Sequence, residues 1–153
     1  MAEIAEPEQK LLDSLDGRGS DDEFRAIRSL HQLVGARLPE LLLARYRSSR
    51  LAGPRSSCVY HATNFARSSD DAVQLGLEAL RDRSKVVRYR ACGLLAYSQR
   101  RSLLDALRAH VSGVPDASRA DLLAAIDALE QGNHHLFVDR EHSGKVTWNI
   151  VEN

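Results

Sequence analysis

One stretch, Asp82–Ser98 (DRSKVVRYRACGLLAYS), sets the terms for the rest of the chain. It reads as a tight turn feeding a helix. At roughly 100° per residue, Leu94, Val87, Ser98, Ala91 and Leu95 fall within about 100° of arc. Arg88 stands at one edge of that stripe and Arg90 near the other. The opposite side carries Tyr89, Cys92, Gly93 and Ala96, which are apolar or small rather than charged. A surface helix shows a polar back. This one is patterned to pack on more than one side, as the inner helix of a layered helical array does. Gly93 lowers helix propensity by about 1 kcal/mol, which a close helix contact at that point would offset.

The flanking chain alternates helical patterns with short breaks. Residues 1–19 are acidic, with a short helix predicted over Pro7–Leu15 and a break at Asp16-Gly17-Arg18-Gly19. Ser20 with Glu23 has capping-box spacing, and Asp21, Asp22 and Glu23 suit the positive helix end. Phe24, Ile27, Leu30, His31 and Val34 are the expected apolar stripe, stopped at Gly35. Pro39 fits the first turn of a helix reaching Ser49. A polar connection is expected over Ser48–Arg55, broken by Gly53-Pro54. Val59, Thr63 and Phe65 then share one side of a further helical segment. The helix Asp70–Arg81 precedes the opening stretch; Leu103, Leu104, Leu107 and Val111 mark another, and Leu122, Ile126 and Leu129 the last. Residues 20–131 therefore form three or four helical hairpins in one domain spanning 1–153.

Past Gly132-Asn133 the pattern changes. Leu136-Phe137-Val138 and Lys145–Val151 (KVTWNIV) have strand composition, separated by the turn-like Asp139–Gly144. The expectation for 132–153 is a small β-hairpin or extended cap. Trp148 would pack over the end of the stack, with Val146 and Ile150 on the same side.

A turn Asp, then Val-Arg, then small and aliphatic residues at helical spacing (Asp82, Val87, Arg88, Ala91, Leu94, Leu95) resembles the second helix of a HEAT repeat; Asp70–Arg81 resembles the first. The resemblance implies an all-α fold, a short α-α superhelix. It also implies a structural role for Asp82 and Arg88, tying the turn to a neighbouring repeat. HEAT-like arrays bind other proteins, and some bind DNA.

Charge narrows the functional classes. The chain has 21 basic and 21 acidic residues, so no global excess draws it to nucleic acid or an anionic membrane. The balance hides a polarity. Residues 1–24 hold eight acids against Lys10 and Arg18, whereas residues 45–67 hold five Arg and no acid. A second basic cluster comprises Arg81, Arg83, Lys85, Arg88, Arg90, Arg100 and Arg101. No apolar run is long enough to span a bilayer, and the N-terminus lacks a signal-peptide pattern, so the expected setting is cytoplasmic.

The candidates for chemistry are sparse. Cys58 and Cys92 form no CxxC pair. Cys58 and His61 can share a helix face, but spacing supplies neither an orienting acid nor an oxyanion site. His134, His135, Asp139, Glu141 and His142 match no metal-ligand spacing, and no cofactor is expected. The HEAT-like resemblance extends to bilin-attaching lyases, without their chromophore site. The leading expectation is a non-enzymatic protein-binding module. Its partner is another protein, such as a toxin neutralised by a bacterial immunity protein, an adaptor's client or an acidic surface. Arg83, Lys85, Tyr89, Arg90, Arg100 and Arg101 are the candidate contacts. DNA binding through the Arg clusters and a metal-binding or lyase-like enzyme are the alternatives.

Overall fold

The computed structural model describes residues 3–151, and among these every regular element is helical. Eight α-helices follow in order: α1 (Glu6–Asp13), α2 (Asp21–Val34), α3 (Leu38–Ser48), α4 (Ala52–Ala62), α5 (Asp70–Ala79), α6 (Lys85–Ser98), α7 (Leu104–His110) and α8 (Asp116–Glu130). They pair as α1–α2, α3–α4, α5–α6 and α7–α8. Helix α3 packs on α5, while α4, α6 and α8 pack in succession, so two layers of helices are stacked side by side. Among the described residues no helix is long and apolar enough to cross a membrane.

Local chemistry explains the boundaries. Ser20, Ser69 and Ser84 each accept from the backbone N–H three residues on, capping α2, α5 and α6. Gln99 ends α6 in a left-handed conformation, φ 54°. The expected loop through Gly53-Pro54 is instead the first turn of α4. Proline is tolerated there because an N–H at that position has no intrahelical partner to lose. Helix α1 joins the stack rather than trailing from it: Leu12 and Leu15 are fully buried.

The all-round patterning of α6 has a direct counterpart in packing. Every residue from Ala91 to Ser98 is buried, as is Val87. The close approach to α5 comes at Gly76, where an added Cβ would lie 2.7 Å from Leu94 Cδ2. Gly93 serves another contact. A Cβ there would meet Trp148 Cη2 at 3.1 Å and Phe137 Cε2 at 3.3 Å, so it seats aromatic rings rather than a neighbouring helix.

The hairpins are tied by polar groups at their turns. Asp82, in the α5–α6 turn, receives Arg55 Nε of α4 at 2.8 Å on Oδ2 and Arg55 Nη2 at 3.1 Å on Oδ1. Tyr46 Oη of α3 donates to the same carboxylate at 2.8 Å, and the Ser84 amide at 2.9 Å. Burial pulls the Asp82 carboxyl upward, but the bonds from Arg55, Ser84 and Tyr46 outweigh it and hold it below the usual carboxylate range. Arg88 donates to the Asp82 carbonyl and to Ser118 Oγ of α8, both at 2.8 Å. Arg55, Arg88 and Arg119 each occupy the fourth position of their helices, and each donates to carbonyls of the loop that leads into its own helix.

Among the described residues the predicted C-terminal β-hairpin is not formed; of its range 132–153, residues 152–153 lie outside those described. Leu136-Phe137-Val138, expected as its first strand, falls largely in a 3-10 turn (His134–Phe137) begun by Asn133, whose side chain accepts from the His135 amide. Leu136 and Phe137 are both buried, which an edge hairpin would not provide, and the turn packs on α8 and α6. Asp139 then closes the following loop on itself, its carboxylate accepting from the Ser143 hydroxyl and the Ser143 and Gly144 amides. Those donors point inward to Asp139 and are lost to any cross-strand ladder. Residues 145–151 run on without regular structure and fold back over the side of the stack.

Candidate functional site

The stripe predicted as the core face of α2 divides in two. Ala26 and Leu30 enter the core, whereas Phe24 is 39% exposed and Ile27 and His31 are half-buried on the side facing α4. Tyr60 of α4 and Tyr89 of α6 stand 47% and 43% exposed on that side. With the 3-10 turn and the C-terminal segment they bound a groove of about 1000 Å³. Phe24 meets Tyr60 edge-on, ring centroids 6.2 Å apart. The Arg90 guanidinium lies 4.9 Å from the Tyr60 centroid and donates to the Ser56 carbonyl at 3.2 Å, so the cation is stacked and anchored at once. Arg28 is exposed and has no ion pair among the described residues. The described groove wall carries Arg28, Arg90, His31 and His61, and no Asp or Glu.

The C-terminal segment forms the opposite wall. The Trp148 ring rests on Gly93 and packs 5.6 Å from Phe137, centroid to centroid. Its amide donates to His135 Nδ1 at 2.9 Å, and its carbonyl accepts from His134 Nε2 at 2.8 Å. Trp148 therefore lines the inner face. It does not close the end of the stack, as the capping expectation had it.

Under the groove His61 Nε2 donates to Glu23 Oε2 at 3.1 Å, while the Gly17 amide donates to Glu23 Oε1 at 2.6 Å. The capping-box acid of α2 thus serves a tertiary pair instead of the amide of its own cap. Burial lowers the His61 pKa, and the bond to Glu23 recovers only part of the shift. The sign follows. A histidine whose folded pKa is depressed stabilises the fold above its unfolded value of about 6.5 and loses that contribution as pH falls below it. The urea midpoint is accordingly expected to drop between pH 7.5 and 5.5, and His61→Gln should flatten that dependence. An unchanged slope in the variant would show that the buried imidazole is not its source.

Neighbouring Cys58 is fully buried and its thiol is pushed up to about 12 by desolvation, the opposite of an activated nucleophile. Cys92 is likewise buried and raised to about 12. Among the described residues no group of three His, Cys, Asp or Glu side chains could hold a metal ion. The tail histidines and acids are dispersed. His134 and His135 hold Trp148, Asp139 organises its own loop, His142 Nε2 lies 2.6 Å from Asp127 Oδ2, and Glu141 is exposed.

The six predicted contact residues do not form one patch. Tyr89 and Arg90 line the groove. Arg83 and Lys85 sit at the start of α6, where Arg83 donates to the Arg50 carbonyl at 2.9 Å beside a shallow depression with Arg81 and Arg47. Arg100 and Arg101 lie past the far end of α6, roughly 20 Å away at 1.5 Å per residue. Arg100 pairs with Asp70 at 2.6 Å, and Arg101 donates to the carbonyls of Leu129 and Glu130 at the end of α8. The sequence reading assigned Phe24 and His31 to the core stripe of α2 and did not single out Arg28 or Tyr60. Their signal was present in α2, where Phe24, Ile27 and His31 give a stripe broader than one buried face needs.

No family model matches this chain and no curated protein matches it, so the chemistry of the groove is what bears on function.

Proposed function

We propose that the chain is a short HEAT-like array that acts as a non-enzymatic protein-binding module, with the inner groove as its contact surface. The observation that carries this reading is the set of exposed aromatics from three helices, Phe24 of α2, Tyr60 of α4 and Tyr89 of α6, that border one groove, with Arg90 stacked on the Tyr60 ring. Tyr and Arg are the side chains that dominate binding energy at protein interfaces, and here they stand over an apolar floor. The HEAT-like reading draws support from the repeated arginine at the fourth position of α4, α6 and α8 and from the Arg55–Asp82 and Arg88–Ser118 links between successive hairpins. Many other arginines are engaged within the protein, which favours a binding face over a phosphate track. Arg47 pairs with Glu78 at 2.6 Å, Arg45 with Asp13 at 3.3 Å and Arg140 with Asp121 at 2.9 Å.

The test compares the purified chain with a Tyr60→Ala, Tyr89→Ala variant in capturing protein from native lysate. Truncating two central anchors is expected to weaken a cognate complex by about 3 kcal/mol, on the order of a hundredfold, with little change in thermal midpoint. A partner held equally by both proteins would move the interface elsewhere. In the immunity version of this reading, the captured partner is an enzyme whose activity falls on binding; in the adaptor version it does not.

A further inference from the structure

Beside the groove, residues 147–150, which follow the exposed Val146, display an arrangement that points to what the groove accepts. The backbone is neither helix nor strand, and its side chains alternate. Trp148 and Ile150 are half-buried, whereas Thr147 and Asn149 are exposed. That is the period of an extended chain with one face turned inward. Trp148 spends both backbone polar groups on His135 and His134. The backbone N–H and C=O groups of Thr147, Asn149 and Ile150 make no protein hydrogen bond among the described residues. In an extended chain the polar groups of Thr147 and Asn149 point to the side opposite those of Trp148, so these two residues form a short unpaired edge, held in place by a ring wedged on Gly93, and Asn149 borders the groove. Unpaired extended backbone recruits another extended chain, giving affinity through the main chain and specificity through alternate side chains. The charge of the opposite wall selects the chain. Arg28 and Arg90 are present, and Glu23, which bonds the lining residue His61, is buried and occupied by that ring and the Gly17 amide.

We propose that the groove takes an extended acidic segment of a partner protein, paired along residues 147–150, with carboxylates on Arg28 and Arg90 and an apolar side chain against Phe24 and Tyr60. This rests on the protein-binding reading and gives the partner its chemistry: carboxylates interleaved with aromatic or aliphatic residues.

The experiment is selection of a displayed random twelve-residue peptide library on the full chain, followed by affinity measurement with the selected peptides. Enriched sequences should alternate Asp or Glu with aromatic or aliphatic residues. Their affinity should fall at least about tenfold for Arg28→Glu with Arg90→Glu, in a protein whose thermal midpoint is retained. Methylating the peptide's backbone nitrogens at alternate positions should weaken binding without altering either protein, which keeps the main-chain element testable if the charge variant fails to fold. Basic or neutral consensus peptides, or affinity indifferent to charge reversal and to methylation, would overturn the proposal. If no peptide is selected while a whole protein is captured in a Tyr60- and Tyr89-dependent way, the extended segment is wrong and the broader reading stands. Groove-dependent, salt-sensitive binding of a labelled oligonucleotide in place of any peptide would overturn both.

Discussion

Asp82→Ala is expected to lower folding stability by about 3 kcal/mol, because it strands a buried guanidinium. The Arg55 and Asp82 side chains are 8% and 4% exposed, and the carboxylate gathers donors from α3, α4 and the start of α6. Removing it leaves Arg55 charged in a site that water barely reaches, and leaves the Tyr46 hydroxyl without its acceptor. For a chain of this size the loss corresponds to a fall in thermal midpoint on the order of 10 °C. Urea titration of the variant, of Arg55→Met and of the double variant measures the pair. The double variant should be more stable than the sum of the single effects implies, since two apolar replacements leave no orphan charge. Strict additivity would mean that the two side chains do not act as a unit. Asp82 also carries a pH signature. Its folded pKa is depressed, so its contribution is present above the unfolded value of about 3.9 and is lost as pH falls through the lower, folded one.

Gly17→Ala is the second large effect, again of about 3 kcal/mol. Gly17 has φ +83°, and a Cβ on it would lie 2.2 Å from the Gly53 carbonyl oxygen. Two costs combine: left-handed backbone for an L-residue, and a clash with main chain that no rotamer relieves. Gly19 supplies the internal control. Its φ is +69° but no atom lies within 4 Å of the added Cβ, so Gly19→Ala should cost only about 1 kcal/mol. Equal losses in the two variants, by thermal or urea unfolding, would mean that the first and second hairpins do not depend on this close approach. The Gly17 amide also feeds Glu23 beneath the groove, so a shift there should alter the acid sensitivity of His61.

Much of the helical layout was legible because its signals are local. Ser20, Ser69 and Ser84 act as caps within three residues, and the buried positions of α6 follow from the angle between successive side chains. The errors arose where local signals compete. Leu136-Phe137-Val138 and KVTWNIV have strand composition, but strand formation needs a partner to satisfy backbone donors, and Asp139, His134 and His135 take those bonds or redirect the chain. Gly53-Pro54 reads as a break in any window of sequence. Only its place in the first turn of α4, against Asp16 and Gly17, makes it part of a helix.

The helix Lys85–Ser98 marks the division between what sequence and structure decide. Its sequence alone determined that it is enclosed, since no side of it beyond the first turns could face water at low cost. What encloses it was decided by tertiary contact: α5 meets it from Gly76, α4 and α8 flank it, and Trp148 arrives from 55 residues later, beyond Gly93. The groove belongs wholly to the second kind. Phe24, Tyr60 and Tyr89 are unremarkable aromatics in three separate helices, and only the stacking of those helices sets them around one cavity with Arg28 and Arg90. Periodicity encodes which face of a helix is apolar; the register between helices, which brings distant residues into one site, arises from packing.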